Sequence, residues 1–520
     1  MKVEFCLLFL LVSFLFVGCE KNIPNNVSLN ANMEHYNYPN GTKVYIDDQN
    51  YSCWVEGDTV LVNDDEVVLH YVDDIATLDG IQYNEAGYVA VYPSSIVAAE
   101  SVKGLTSINV LLPVVQDFKK IGDNQILEAP LLASVDEGGE GAIQFRNLCA
   151  LLKVTLTNNQ ERAFRVRGIS VSAPDAVLCG EGTITVPSST INVAPSLEMG
   201  EEGSKSVMLA MPEVEMIPAN ESRIYYIVLP PFSNQQLTIT VVTDIDGVIC
   251  KASKTMSGNC SLSRNKLGSI EIHADNVVSD ASPCGAYAVS ATQNVNIAMG
   301  NLQYCPKQGV FRFAENQRCS ELGNNINWYD TYSEWLDLFC WGTGNSPMTA
   351  PGANASTYGS ADTDISASSY DWGTNPISNG GGSANVWRTM TSSEWSHILS
   401  NGYAKAQVGE VDGMVIKPND WINPQGIGIL QTGTDYSANR YSASEWVVME
   451  VAGAIFLPIT GYLKFSSNNY SVSNSNNGYY WSSTPADVGK AYTLVFSTTC
   501  SMSNKNRNLG HAVRLVKNVQ

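Results

Sequence analysis

The chain has 520 residues, room for roughly three or four domains, and its 44% apolar content supports a packed core and excludes global disorder. Acidic side chains outnumber basic ones by 51 to 30, a net charge of −21, which argues against nucleic acid as a partner because phosphate needs a basic face. The five histidines (His35, His70, His273, His397, His511) are scattered, which excludes a compact histidine-rich zinc motif.

Met1-Lys2 gives a small positive start, and Phe5 to Val17 is an almost unbroken apolar run. The run is too short to span a bilayer and has the length of a signal-peptide core. Gly18 then precedes Cys19, a pairing that resembles a bacterial lipobox. Residues 1–18 are therefore read as a lipoprotein signal peptide, with Cys19 as the acylated first residue of the mature chain. Such an anchor buries several acyl chains and would hold the protein stably on a membrane. No later stretch is long and apolar enough to cross one, so the remainder is expected to be exported and soluble. The later cysteines split unevenly between the halves and suggest no neat disulfide framework. Cys250/Cys260 and Cys305/Cys319 have hairpin spacing, but buried free thiols are the favoured reading.

Up to about residue 275 the pattern is that of strands. Lys153-Val154-Thr155-Leu156-Thr157 and Leu237-Thr238-Ile239-Thr240-Val241 alternate polar and apolar, as half-buried strands do. Ile224 to Leu229 is a continuous apolar run ended by Pro230-Pro231, which suits a strand between two packed faces. Asp244-Ile245-Asp246-Gly247 reads as a hairpin turn rather than a calcium loop, because no further acidic ligands follow at loop spacing. Scarce helical periodicity implies antiparallel sandwiches, one large or two smaller ones divided near residue 160.

Phe145-Arg146-Asn147-Leu148-Cys149-Ala150-Leu151-Leu152-Lys153-Val154, Tyr226 to Pro231, and Leu267-Gly268-Ser269-Ile270 resemble the packing motifs of fimbrillin-type pilus lipoproteins of Bacteroides-like bacteria. The resemblance covers roughly residues 25–275. It implies two tandem transthyretin-like β-sandwiches (25–160 and 161–275), lipoprotein export, and assembly with other pilus subunits by strand donation. Stalk members are matured by cleavage after an early Arg. Here the first Arg is Arg146, inside a core strand, which departs from that pattern.

Composition changes near residue 280. Nine of ten tryptophans follow it, and net charge falls from −18 over residues 20–284 to −3 over 285–520. The polar stretch around 276–284, with its Pro, reads as a linker. Beyond it, Thr391-Ser392-Ser393-Glu394 and Ser442-Ala443-Ser444-Glu445 each form a capping pattern ahead of a short apolar helix. Strands are predicted at Ala454–Pro458, Tyr479–Ser482, Ala491–Phe496 and Ala512–Val516. The blocks Trp387-Arg388-Thr389-Met390-Thr391, Glu394-Trp395, Pro418-Asn419-Asp420-Trp421, Glu445-Trp446, Gly453 to Pro458, Tyr480 to Thr484 and Val513 to Val516 resemble a C-type-lectin-like module of exported Bacteroidetes and Fibrobacter proteins. The resemblance implies an α+β domain over 285–520 and leaves function open, since that fold hosts glycan binders, protein binders and enzymes.

Sugar binding needs exposed aromatic faces beside polar groups. Most tryptophans here sit in strand or helix blocks and read as core. The Gly/Ser/Asn-rich stretch 351–385 carries Tyr370, Trp372 and Gly380-Gly381-Gly382, and loop 466–478 carries Asn468, Asn469, Tyr470 and Asn474. These two loops are expected to form one ligand-binding rim. Lys417-Pro418-Asn419-Asp420 stands where a sugar-binding C-type lectin would have Glu-Pro-Asn, and lysine offers calcium no oxygen. Asp362, Asp364 and Asp371 read as turn acids, so no lectin-type calcium site, no metal and no cofactor is expected. Formylglycine-generating oxidases share the fold but need a cysteine pair near the domain's end, where only Cys500 lies. His397 and His511 lack a framed nucleophile.

The sequence thus predicts a mainly β, non-enzymatic outer-membrane lipoprotein at the cell surface or in a fimbrium. A minor or tip pilus subunit is expected, because the chain ends directly after Ala512–Val516 with no spare strand to donate. The front half would be an inert mount and the C-terminal half the adhesin, binding host or bacterial surface glycan or protein. The alternative is a stand-alone glycan-binding lipoprotein outside pili.

Overall fold

The computed structural model describes residues 26–34, 54–73, 75–122, 124–135, 142–321, 323–349, 351–352, 363–433, 435–466 and 469–519. The signal segment, Cys19, Asp362 and Asn468 lie outside them. The described chain is mainly β, with three short α-helices: α1 (Ala274–Ser279), α2 (Ser392–Ser400) and α3 (Ala443–Val451). None of its helices is long and apolar enough to cross a membrane.

Seven strands close a barrel in the order Asn26–Met33, Ala142–Asn147, Leu131–Val135, Tyr88–Tyr92, Thr59–Val62, Asp65–Val72 and Ile75–Gln82. Closure removes exposed strand edges. Its interior centres on Trp54, whose ring meets Tyr92 and Phe145 edge-on at 5.2 and 5.1 Å. The indole Nε1 donates to Ala31 O at 2.9 Å, so the buried polar atom is satisfied.

A second unit faces a three-stranded sheet (Ser222–Leu229, Ala150–Thr157, Leu267–His273) against a six-stranded one. The six run Ser282–Pro283, Val248–Thr255, Thr238–Ile245, Phe164–Ser172, Ser206–Ile217 and Val115–Asp117. The last strand is drawn from the segment before residue 160, so the two front units interlock in sequence. Thr238–Ile245 and Val248–Thr255 form a hairpin, with Ile245 paired to Val248 across Asp246-Gly247. Both turn residues have positive φ (48° and 82°), which the Asp-Gly pair tolerates.

The units are joined through sheets that are buried on both faces. Successive strand residues point to opposite faces. Val60 and Val62 enter the barrel core, while Leu61 enters the second unit's core. In Ser206–Ile217, Val207, Leu209 and Met211 face that same second core. Met208 and Ala210 face the other way, into a cluster with Phe313, Trp341, Trp372, Trp387 and Val447 of the C-terminal half.

The C-terminal half therefore sits directly on the six-stranded sheet, and the sequence's picture of an inert mount carrying a separate module is corrected: one apolar interior spans the boundary. Residues 276–284 belong to this packing. They finish α1 and supply Ser282–Pro283, which pairs with Cys250 and Lys251. Gly168 permits the close approach of α3, since a Cβ there would lie 2.9 Å from Met208 Sδ and 3.3 Å from Val447 Cγ1. Beside it, Arg167 Nη1 meets Glu450 Oε2 of α3 at 3.0 Å, both side chains 2% exposed, and Nη2 donates to Glu315 O at 2.7 Å.

The remaining C-terminal sheets are small. They include Tyr403–Val408 with Val411–Ile416 and Ile455–Pro458, and Gly478–Pro485 with Lys490–Phe496 and Cys500–Asn506. Helices α2 and α3 both begin with full capping boxes. Thr391 Oγ1 accepts from Glu394 N while Glu394 Oε2 accepts from Thr391 N, and Ser442 and Glu445 repeat the exchange. All nine cysteines among the described residues are free thiols.

Candidate functional site

The two loops expected to form one rim rest on different cores. Trp372 is fully buried in the cluster shared with the six-stranded sheet, and its Nε1 donates to Thr343 Oγ1 at 3.3 Å. It presents no ring to a ligand, which corrects its assignment as a binding platform. The physical reason lies next to it. Asp371 is buried and accepts from Ala367 N, Gly373 N, Thr389 N and Thr389 Oγ1 at 2.6–3.1 Å, folding the polar loop so that the indole plugs the core. Burial pushes the Asp371 carboxyl up, and these donors pull it down. Asp371 is thus a buried loop anchor rather than a solvated turn acid. Asp364 accepts from Ser366 N and Thr484 Oγ1. Tyr370 is half-buried against the same cluster.

The second loop is a hairpin of Tyr462–Ser466 with Asn469–Ser473. Tyr470 is half-buried on the C-terminal core, its ring 5.0 Å from Phe465, which is 43% exposed. Asn469 is exposed at the hairpin turn. Asn474, also exposed, donates to Tyr479 Oη at 3.1 Å.

Against this hairpin packs a short 3₁₀ turn, Asn324–Ile326, which opens an aromatic segment, residues 327–335. Tyr329 is 51% exposed and meets Tyr332 edge-on at 5.4 Å. Trp328 is half-buried, with Nε1 donating to Asn325 O at 2.7 Å, and Trp335 lies beneath the Arg312 guanidinium at 3.9 Å.

The fully buried Asn325 carboxamide staples the segment. Its Oδ1 accepts from Asp337 N and Leu338 N, and its Nδ2 donates to Glu321 O and Asp337 Oδ1. Burial pushes the Asp337 carboxyl up to about 6. Tyrosines and tryptophans interleaved with Asn, Asp, Ser and Glu over 327–335, in neither helical nor strand period, were the signal available in sequence. Tyr329 and Phe465 are thus exposed and Tyr332 and Tyr470 half-buried, on a segment and a hairpin linked through the contact of Asn324–Ile326 with Asn469–Ser473, and Asp330 and Asn469 are exposed as well.

A second depression of about 420 Å³ lies at the seam between the halves, lined by Arg162, Arg165, Asp244, Asp246, Ser378 and Asn379 among others. Its charges pair with each other. Arg162 reaches Asp246 at 3.8 Å, and Arg165 lies 3.5 Å from Asp244 and 3.7 Å from Glu315. Phe164 in its wall is only 5% exposed, so the cleft offers no aromatic face.

Three further residues singled out by sequence are tied into the fold. His511 is fully buried, stacked on Trp481 at 4.0 Å, with Nδ1 3.0 Å from Thr493 Oγ1. Burial holds its imidazole well below the usual range, in the neutral form. Cys500 lies 3.6 Å from Met414 Sδ, and burial pushes its thiol up to about 12. Asn419 ties loops together, accepting from Ala288 N and donating to Asn294 Oδ1. Among the described residues, no group of His, Cys, Asp and Glu is arranged to hold a metal ion.

Residues 435–516 match a domain of unknown function (DUF8237). No curated protein matches the chain. Among solved structures, a candidate cell adhesion protein from Bacteroides uniformis is 14% identical, with a TM-score of 0.29, covering 49% of this chain and 94% of its own. One from Bacteroides ovatus is 11% identical, with a TM-score of 0.31, covering 48% and 91%. A fimbrial protein from Bacteroides ovatus is 9% identical, with a TM-score of 0.20, covering 95% and 99%. Superpositions this loose leave the functional reading to the chain's own residues.

Proposed function

We propose that this chain is a non-enzymatic, exported lipoprotein of the outer membrane, anchored through Cys19, that mediates adhesion. In this reading it serves as a minor or tip subunit of a pilus and meets other subunits by strand donation. Its C-terminal half, of C-type-lectin-like kind, grips glycan or protein on a host or bacterial surface. The observation that carries the binding role is the pair of exposed rings at Tyr329 and Phe465, each beside a half-buried tyrosine, Tyr332 and Tyr470. Such faces stack on the C–H surfaces of sugars, and neighbouring amides and carboxylates take the hydroxyls.

A glycan array probed with the mature chain, with and without a chelator, tests this. Binding that is chelator-insensitive and falls about tenfold in Tyr329→Ala combined with Phe465→Ala, a loss of about 1.4 kcal/mol, supports it. Binding that survives both substitutions overturns the aromatic site. Immunogold labelling separates pilus from stand-alone roles: uniform surface label without filaments discards the tip assignment.

A further inference from the structure

Strand Ser222–Leu229 is an edge strand. Among the described residues only Ala150–Thr157 pairs with it, on one side. Its segment Ile224-Tyr225-Tyr226-Ile227-Val228-Leu229 is apolar or aromatic throughout, with no charge and no proline. Segments of this kind, left as open edges, pair with their own copies. In an antiparallel pair alternate residues turn their N–H and C=O to the same side, so Ile224, Tyr226 and Val228 direct theirs away from Ala150–Thr157.

Among the described residues, no strand covers that side. Two glutamine side chains do. Gln125 Oε1 accepts from Tyr226 N at 2.9 Å and its Nε2 donates to Tyr226 O at 2.8 Å. Gln116 Oε1 accepts from Val228 N at 2.9 Å and its Nε2 donates to Val228 O at 2.7 Å. A carboxamide carries the same C=O and N–H as a peptide, so two of them in step with alternate residues reproduce a strand's pairing without continuing the sheet.

The backbone around Gln116 is committed elsewhere. Val115–Asp117 pairs in parallel with Ser206–Ile217 of the facing sheet, so one segment covers the edge of one sheet with its backbone and of the other with a side chain. Lys119, which reaches Glu128 at 3.1 Å and Asp117 at 3.7 Å, adds charge beside the same groove. Charged side chains at an edge discourage further pairing.

We propose that Gln116 and Gln125 act as a side-chain stopper, closing the Ser222–Leu229 edge against pairing with the same edge of a second copy of this chain. The assignment stands apart from the adhesion reading and needs none of its residues.

The test is the full mature chain carrying Gln116→Met and Gln125→Met, which keep side-chain length and remove the hydrogen bonds. Light scattering after size exclusion is expected to show its mass doubled relative to wild type at equal concentration, with an unchanged circular dichroism spectrum. Adding Ile224→Pro, which deletes an outward N–H on the same edge and is tolerated on edge strands, is expected to restore the wild-type mass. A folded double variant with wild-type mass overturns the proposal, as does a doubled mass that Ile224→Pro leaves unchanged. Should the double variant fail to fold, Gln116→Met alone is read by hydrogen exchange. The Val228 amide is then expected to exchange about tenfold faster while Tyr226 keeps its protection. Unchanged exchange at Val228 overturns the proposal.

Discussion

Two arginines five residues apart, Arg162 and Arg167, form carboxylate pairs that behave as opposites. Arg167 and Glu450 are sealed between the six-stranded sheet and α3, each 2% exposed. Arg162 and Asp246 stand at the mouth of the seam cleft, 73% and 44% exposed. The first pair is desolvated, so each charge depends on the polar groups packed around it, its partner first. Burial pushes the Glu450 carboxyl up, and Arg167, then Arg318, pull it down. The second pair keeps its water and is screened by salt. The difference teaches where the halves are bound to one another and where they merely meet.

The largest effect should come from removing one member of the sealed pair. Arg167→Met leaves a buried carboxylate without its ion-pair partner and is expected to cost about 3–5 kcal/mol in denaturant unfolding. Adding Glu450→Leu should recover most of that loss. If Arg167→Met unfolds like wild type, the pair is not sealed. Gly168→Ala comes next. Its Cβ would press on the Leu209 carbonyl at 3.1 Å and on Val447 of α3, and a loss of about 1–3 kcal/mol is expected from thermal melts.

His511 gives a pH-dependent effect. Its folded-state pKa lies well below the ordinary 6.5, so below that pH the unfolded chain binds a proton that the folded chain refuses. Stability should then fall as pH drops, by up to about 1.4 kcal/mol per pH unit. His511→Phe should flatten that slope relative to wild type between pH 6.5 and 5.5; equal slopes would contradict the assignment. The smallest effect belongs to Arg162→Ala, expected within about 0.5 kcal/mol of wild type. A loss comparable to Arg167→Met would erase the contrast.

Local signals were legible wherever a residue's partners are near in sequence. Both capping boxes, the Asp246-Gly247 hairpin and the strands at Ala150–Thr157 and Ser222–Leu229 follow from patterns within ten residues. The joining of the units was not, because it depends on the second face of strands whose first face already explains them. Val207 to Met211 is a continuous apolar run, the signature of a strand buried on both sides, and it carries the boundary. The polar stretch 276–284 resembled a linker because a short helix and an edge strand need little apolar surface. Trp372 looked exposed for the converse reason. Its loop is Gly/Ser/Asn-rich, yet the buried Asp371 carboxylate folds that loop into the core. The aromatic segment 328–335 was passed over because composition alone does not separate a buried ring from one left at the surface.

The central claim is that the C-terminal half is held on the six-stranded sheet as part of one packed body. Native-state hydrogen exchange of the full chain tests it most directly, by comparing the slowest amides of Thr238–Ile245 with those of α3 at Ala443–Val451. The account predicts one shared opening free energy, lowered equally in both by Arg167→Met. Exchange in α3 through its own lower-energy opening, with the sheet still protected and unmoved by that substitution, would contradict it.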